Sequence, residues 1–185
     1  MIIGFVGLAR AGKDSAAKTL IQKFGFTRVS FADPLKQIAY DIDPLIANDT
    51  HLAEVVDEQG WEIAKDEYPE CRRFLQRIGT EGLRKNVDND FWVNLALSKM
   101  KNPDEKNYVI TDMRFLNEYE KVRDFATQEG ALFSAWRIQR DGLSVMGHAS
   151  ELEMATIPTE YTVSNNETLE HLDSLVEGLY HSLTV

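Results

Sequence analysis

The fold is decided by positions 2–15, which read Ile2-Ile3-Gly4-Phe5-Val6-Gly7-Leu8-Ala9-Arg10-Ala11-Gly12-Lys13-Asp14-Ser15. An apolar run passes through three glycines into a lysine and then into a helical pattern. Gly7, Gly12 and Lys13 have the spacing of a phosphate-binding loop, in which backbone N–H groups surround nucleotide phosphates and the lysine contacts the terminal ones. Glycine suits such a loop because its backbone needs positive φ and close approach to the ligand. We therefore predict a strand, a phosphate-binding loop and a helix in this order.

The residue after the lysine departs from the usual loop pattern. Asp14 stands where a Ser or Thr ordinarily binds Mg²⁺, and Ser15 follows it, so both are candidate ligands, directly or through water. The alternative is a glycine-rich turn before an ordinary helix, but the apolar spacing up to Gly25 places the helix where a phosphate loop requires it. The predicted nucleotide-binding residues are Gly7, Ala9, Arg10, Ala11, Gly12, Lys13, Asp14 and Ser15.

Length and composition limit the class of protein. The chain has 185 residues, 43% of them hydrophobic, which is enough for one well-buried domain, and no apolar run is long enough to span a membrane. The formal net charge of −10 disfavours nucleic acid and anionic membranes as partners. The single cysteine, Cys71, excludes an internal disulfide, and no secretion signal follows Met1, so we expect a cytoplasmic protein.

The segment after the first helix carries a second strand within 26–31 and then a helix. Asp33 precedes Pro34, which is typical of a helix start, so Asp33 is either only a cap or a substrate contact. Residues 41–69 are acidic and weakly periodic, and we predict a helical insertion there. Another helix is predicted over 70–85, and the three segments together form a predicted helical region over about 33–88.

The helix predicted over 70–85 has an apolar stripe and, on another face, a run of polar and cationic residues. Arginine clusters match phosphate oxygens, so this face is a candidate anion site, although a plain solvated face would also fit. Its residues are Arg73, Gln76, Arg77, Thr80 and Arg84.

The second half of the chain alternates strands and helices. A buried strand at 108–110 leads to Asp112 and Arg114, and ligands bind beyond the carboxyl ends of parallel strands. The pair is either part of a site or a structural ion pair. A strand over 131–138 leads to Arg140 and a loop reaching about residue 152. The pattern predicts an α/β protein with a central, mostly parallel five-stranded sheet flanked by helices.

Taken together, five short motifs resemble those of the bacteriophage deoxynucleoside monophosphate kinases. They are GKDS at 12–15, FADPLK at 31–36, FLQRIGTE at 74–81 with Arg84, DMRFLNE at 112–118 and HASE at 148–151. Leu116 and Ala149 stand where the family has proline, which concerns loop conformation more than chemistry.

The resemblance implies an adenylate-kinase-like P-loop domain over 1–185, with an acceptor-binding region at about 33–88 and a lid-like loop at about 139–152. It implies transfer of the γ-phosphoryl group of ATP to a deoxynucleoside monophosphate, with Mg²⁺ held by Asp14, Ser15 and Asp112, directly or through water. Catalysis would rest on Lys13, Asp112, Arg114 and Arg140. The acceptor would be held by Asp33, Lys36, Arg73, Gln76, Arg77, Thr80 and Arg84. Related enzymes suggest a homodimer.

Two other functions stay open on the sequence. One is a P-loop kinase of another small phosphorylated acceptor, such as dephospho-coenzyme A or phosphomevalonate. The other is a nucleotide-dependent switch, which has no need for the arginine face at 73–84 or for Arg140.

Overall fold

The computed structural model describes residues 1–143 and 153–184. Two compact units make up the chain, one formed by Met1–Ser30 with Ala96–Val185 and the other by Phe31–Leu95. The strands are β1 (Ile2–Val6), β2 (Thr27–Val29), β3 (Leu45–Ala47), β4 (Thr50–His51), β5 (Tyr108–Met113), β6 (Phe133–Gln139) and β7 (Tyr161–Ser164). The helices are α1 (Lys13–Phe24), α2 (Ala32–Ile42), α3 (Leu52–Glu67), α4 (Pro69–Gln76), a π-helix over Arg77–Arg84, α5 (Phe91–Leu97), α6 (Leu116–Gln128) and α7 (Leu169–Leu183). Within the described ranges, no helix has the length and apolarity needed to cross a membrane.

A five-stranded parallel sheet forms the first unit, with the strand order β2-β5-β1-β6-β7. Strand β1 lies at its centre, where Ile3 pairs with Val109 on one side and Ser134 on the other. All five residues of β1 are buried, as expected for a parallel strand covered on both faces. The predicted fold class is confirmed, and the parallel arrangement brings the ends of β1, β5 and β6 to one edge.

The core of the first unit lies between the sheet and helices α1 and α7. Trp136 on β6 is fully buried there with Phe5, and its indole Nε1 donates a hydrogen bond to Ser134 Oγ at 2.9 Å. Leu20 of α1 and Val176 of α7 pack into the same cluster. Burying such large apolar side chains is the main stabilising contribution to this unit. The strands that lead to the loop are therefore packed against α1 and α7.

The second unit has its own smaller core, and it corrects the prediction for residues 41–69. That segment is not wholly helical, because an antiparallel hairpin of β3 and β4 precedes α3. Asp43 ends α2 with a φ of 50°, and its carboxylate accepts a hydrogen bond from the Ala53 N–H at 2.8 Å. Helix α3 is itself interrupted at Gly60, whose φ of 84° is not helical. The polar turn residues therefore override the weak helical periodicity.

The start of α2 also differs from the prediction. The helix begins at Ala32 with Phe31 at the capping position and no side-chain cap, so Asp33 is not the cap that its sequence position indicates. Asp33 lies inside the first turn instead, where a carboxylate is stabilised by the positive end of the helix dipole.

Candidate active site

The loop over residues 7–12 joins β1 to α1 and is packed too tightly for side chains at two positions. A Cβ on Gly7 would lie 2.3 Å from the carbonyl oxygen of Ile138, and one on Gly12 would lie 2.1 Å from Nδ2 of Asn165. Gly12 also has a φ of 99°, which favours glycine. The loop is thus seated directly against β6 and against the residue that comes directly after β7.

Lys13 is the buried cation of this loop, with 9% of its surface exposed. Its Nζ donates hydrogen bonds to the carbonyl oxygens of Gly7 and Leu8, both at 2.8 Å. Burial, and next the charge of Arg114, lower the pKa of Lys13 to about 8, while the carboxylates of Asp14 and Asp112 act in the opposite direction. The two hydrogen-bond partners of the ammonium are neutral carbonyls and do not neutralise its positive charge. That charge can therefore still attract an anionic ligand.

Asp112 lies on β5, beside the loop, as the sheet order predicts. It is half-buried, and its Oδ2 accepts a hydrogen bond of 2.8 Å from the Ser30 hydroxyl. Strand β5 includes Asp112 and ends at Met113, three residues later than the sequence indicates. The sequence does not predict Ser30 as a site residue; the only signal is its place directly after a strand that neighbours β5.

Arg114 begins the turn between β5 and α6, and Glu118 holds that turn. The buried Glu118 carboxylate accepts hydrogen bonds from the backbone N–H groups of Arg114 at 2.8 Å and Phe115 at 3.1 Å. A glutamate in the first turn that reaches back in this way is a common way to fix a helix start. The Arg114 side chain is exposed, and its positive charge contributes to the lowered pKa of Lys13.

A pocket of about 350 Å³ opens over the loop and brings most predicted donor-site residues together with residues from the ends of β6 and β7. It is lined by Arg10, Gly12, Lys13, Asp14, Ser15, Arg140, Asn165, Glu167 and Leu169. The sequence does not predict Asn165, Glu167 or Leu169, because nothing near them indicates proximity to a loop about 150 residues earlier. A second pocket of about 250 Å³ includes Gly7, Leu8 and Ala11. Ala9 is exposed in the loop and lines neither pocket.

Two carboxylates suited to Mg²⁺ act on Lys13 electrostatically. Asp14 is in the first turn of α1 beside Ser15, and Asp112 is at the end of β5. Magnesium is usually bound by one or two carboxylates together with substrate phosphates, so this donor set fits a cation shared with a nucleotide. Across residues 1–143 and 153–184 no group of three or more His, Cys, Asp or Glu could hold a metal.

The predicted acceptor-binding residues all lie in the second unit, but their side chains do not form one uniform face. Arg73 and Arg77 are exposed, and Arg73 pairs with Glu70 at 3.5 Å. Arg84 is buried and donates to Asn89 Oδ1 at 3.3 Å. The cause is the π-helix, whose i→i+5 hydrogen bonds change the side-chain spacing that an α-helix would give.

The remaining acceptor residues lie on three elements. Asp33 and Lys36 are in α2, Gln76 ends α4, and Thr80 is in the π-helix. Lys36 Nζ lies 5.8 Å from the centre of the Trp61 ring.

Arg140 comes directly after β6 and is exposed, at the start of the predicted lid-like loop. Residues 144–152 of that loop, with the motif at 148–151 and Ala149, lie outside the described residues.

Comparison with known proteins identifies the family of this chain. The sequence profile of the family described as deoxynucleotide monophosphate kinase matches residues 46–176. A protein of Acanthamoeba polyphaga mimivirus, named "Putative deoxynucleotide monophosphate kinase", is 30% identical over 194 residues, covering 95% of this chain and 94% of that protein.

A solved structure shares the fold of this chain. A structure described as "a putative kinase" from Chloroflexus aurantiacus J-10-fl has 11% identity and a TM-score of 0.50, covering 99% of this chain and 95% of that chain. A structure of the APS kinase CysC of Mycobacterium tuberculosis has 13% identity and a TM-score of 0.45, covering 97% of this chain and 96% of that chain. At 11% identity, the likeness to the Chloroflexus aurantiacus structure shows the fold alone. Because the family profile spans most of the chain and the viral relative almost all of it, the chain belongs to the deoxynucleotide monophosphate kinase family.

Proposed function

We propose that this protein transfers the γ-phosphoryl group of ATP to a deoxynucleoside 5′-monophosphate, giving ADP and the deoxynucleoside diphosphate. The family gives the reaction class. The structural observation that carries the proposal is the buried Lys13 ammonium, bonded to two loop carbonyls in a pocket that Arg140 also lines. A concentrated positive charge over a glycine loop at a helix N-terminus suits the phosphates of a nucleotide donor.

The donor is held by the loop and by Lys13. When phosphates bind, the lysine exchanges the carbonyl oxygens of Gly7 and Leu8 for phosphate oxygens, and the first N–H groups of α1 point to the same anion. The exchange of partners by Lys13 and the orientation of the helix N–H groups both favour a bound anion, and neither requires the loop to refold.

Asp14, Ser15 and Asp112 would hold Mg²⁺, directly or through water. When bound, the ion would neutralise charge on the donor phosphates. The hydrogen bond from Ser30 to Asp112 restricts the orientation of that carboxylate, so one of its oxygens is already in use by the protein.

The acceptor needs no strong general base, because a phosphate monoester with a second pKa of about 6 is largely ionised at neutral pH. Catalysis is then positioning and charge stabilisation. In the proposal Arg73, Arg84 and Arg114 orient the acceptor phosphate. Its nucleoside contacts Asp33, Lys36, Gln76, Arg77 and Thr80. Arg140 binds the transferred group, a role that is worth about 10³ to 10⁵ in rate where an arginine fills it.

An acceptor panel tests the proposal. ATP and Mg²⁺ are supplied with each of the common deoxynucleoside monophosphates, their ribose counterparts, dephospho-coenzyme A, phosphomevalonate, and no acceptor. We expect diphosphate formation from at least one deoxynucleotide, lost in Lys13→Ala and kept in Lys18→Ala, which removes an exposed lysine from the same helix. Transfer to another acceptor alone, or ATP hydrolysis without any transfer, would contradict it.

A further inference from the structure

Asn165, directly after β7, is bonded to the phosphate-binding loop from a distance of 154 residues along the chain. Its Nδ2 donates a hydrogen bond of 2.9 Å to the carbonyl oxygen of Ala11, and only 8% of its surface is exposed. Its own N–H donates to the Gln139 carbonyl at 2.7 Å, which fixes its backbone to the end of β6. The backbone of Asn165 is therefore fixed to β6 while its side chain bonds to the loop.

The neighbouring residue, Asn166, holds a different segment. Its Oδ1 accepts a hydrogen bond from the Asp141 N–H at 2.8 Å, and its Nδ2 donates to Asp141 Oδ2 at 2.8 Å. The same Nδ2 lies 3.1 Å from Ser164 Oγ. A carboxamide suits this position because it offers an acceptor and a donor together. Asn166 thus fixes the turn that begins directly after Arg140.

We propose that Asn165 and Asn166 are positioning residues that hold the phosphate-binding loop and the Arg140 turn in one geometry. The Ala11 carbonyl and the Gly12 N–H belong to one planar trans peptide and point in opposite directions. Holding that carbonyl toward Asn165 aims the Gly12 N–H away from it, in the orientation needed to donate to a phosphate. Asn166 bonds to the N–H and the carboxylate of Asp141, and it thereby fixes the turn that directly follows Arg140. The inference rests on the proposed function.

Nucleotide affinity tests the first residue without any need for turnover. Asn165→Leu keeps the number of heavy atoms and the branching at Cγ but removes the donor, and Asn165→Ala is the second variant should the first not fold. Thr162→Ala, an exposed change on β7, is the control. We expect the ADP dissociation constant, measured by titration calorimetry, to rise about tenfold or more in the Asn165 variants. A dissociation constant within twofold of wild type in a folded variant would overturn this role.

The second residue is tested through Asp141. Asn166→Ala and Asp141→Ala should each lower kcat about tenfold with little change in the KM for ATP, and the double variant should be no worse than either alone, because both remove one contact. Purely structural damage would instead add, or would lower activity in proportion to the folded fraction, and either result refutes the role.

Hydrogen exchange separates this inference from the proposed function. Exchange of the Asp141 amide should accelerate about tenfold in Asn166→Ala, since its acceptor is lost. If the wild-type protein phosphorylates no nucleotide, the proposed function fails, while ADP affinity and the Asp141 amide still decide the inference. Unchanged exchange at Asp141 would overturn the role of Asn166.

Discussion

Raising the pH should weaken nucleotide binding through one group, Lys13. In the free protein burial lowers its pKa to about 8, so the ammonium loses its proton over a range in which most lysines remain charged. Bound phosphates favour the charged form and raise the pKa of Lys13 again. The nucleotide therefore binds the protonated protein, and affinity must fall once the free protein loses that proton.

The size of the effect is set by the pKa. Between pH 7 and 9.5 the protonated fraction of a group with a pKa of about 8 falls from about nine-tenths to about one-thirtieth, so the ADP dissociation constant should rise about 30-fold. This is about 2 kcal/mol of binding free energy. Below pH 7.5 the dissociation constant should be nearly constant, and above pH 8.5 it should approach a tenfold rise per pH unit.

Titration calorimetry with ADP at half-unit steps of pH measures this profile. Lys13→Met is the matched control, because it keeps the length of the side chain and has no proton to lose; its ADP binding should be weaker and independent of pH over the same range. The amino group of Met1, whose pKa burial lowers below 8.0, lies at the opposite end of β1 from the loop. A wild-type profile that stays flat to pH 9.5, or an equal slope in Lys13→Met, would refute the reasoning.

Three further changes test the stability of the fold. The pKa of Lys13 is lower in the folded state than in the unfolded chain, so the unfolded chain binds more protons between pH 8 and 10.5. The free energy of unfolding of the wild type should therefore rise by on the order of 3 kcal/mol across that interval, relative to Lys13→Met. Urea unfolding at both pH limits measures this difference. Glu118→Ala removes the acceptor of two backbone N–H groups and should cost about 1–2 kcal/mol in thermal unfolding, whereas Glu118→Gln keeps an acceptor and should cost less; equal losses would contradict the capping role. Trp92→Phe leaves the Gly79 carbonyl of the π-helix without its indole donor, and denaturant unfolding should show a loss of about 1–3 kcal/mol; an unchanged midpoint would show that this bond does not stabilise the π-helix.

The parts of the site that the sequence predicts are those whose partners are local. The phosphate-binding loop is predicted by the spacing of Gly7, Gly12 and Lys13, and the parallel sheet by short apolar runs that alternate with helical patterns. Ser30 and Asn165 escape prediction because their roles depend on contacts with Asp112 and the loop, 82 and 154 residues away along the chain. A polar residue after a strand has no local feature that identifies its distant partner.

The differences in the second unit have another origin. Periodicity arguments assume 3.6 residues per turn, and the π-helix over Arg77–Arg84 breaks that assumption, so the residues of the cationic stretch differ in burial. Likewise, the hairpin before α3 depends on Asp43 and Asp49, both with positive φ, which is uncommon outside glycine. Neither backbone choice can be deduced from hydrophobic pattern alone.

The placement of the three tryptophans makes the two units optically distinguishable. Trp136 is buried in the core of the first unit, while Trp61 and Trp92 belong to the second. In a Trp136→Phe protein all indole fluorescence would come from the second unit, and a variant with Trp61→Phe and Trp92→Phe would report only on the first. Denaturation followed by emission in these two proteins would therefore show directly whether the units melt as a single cooperative block or one after the other.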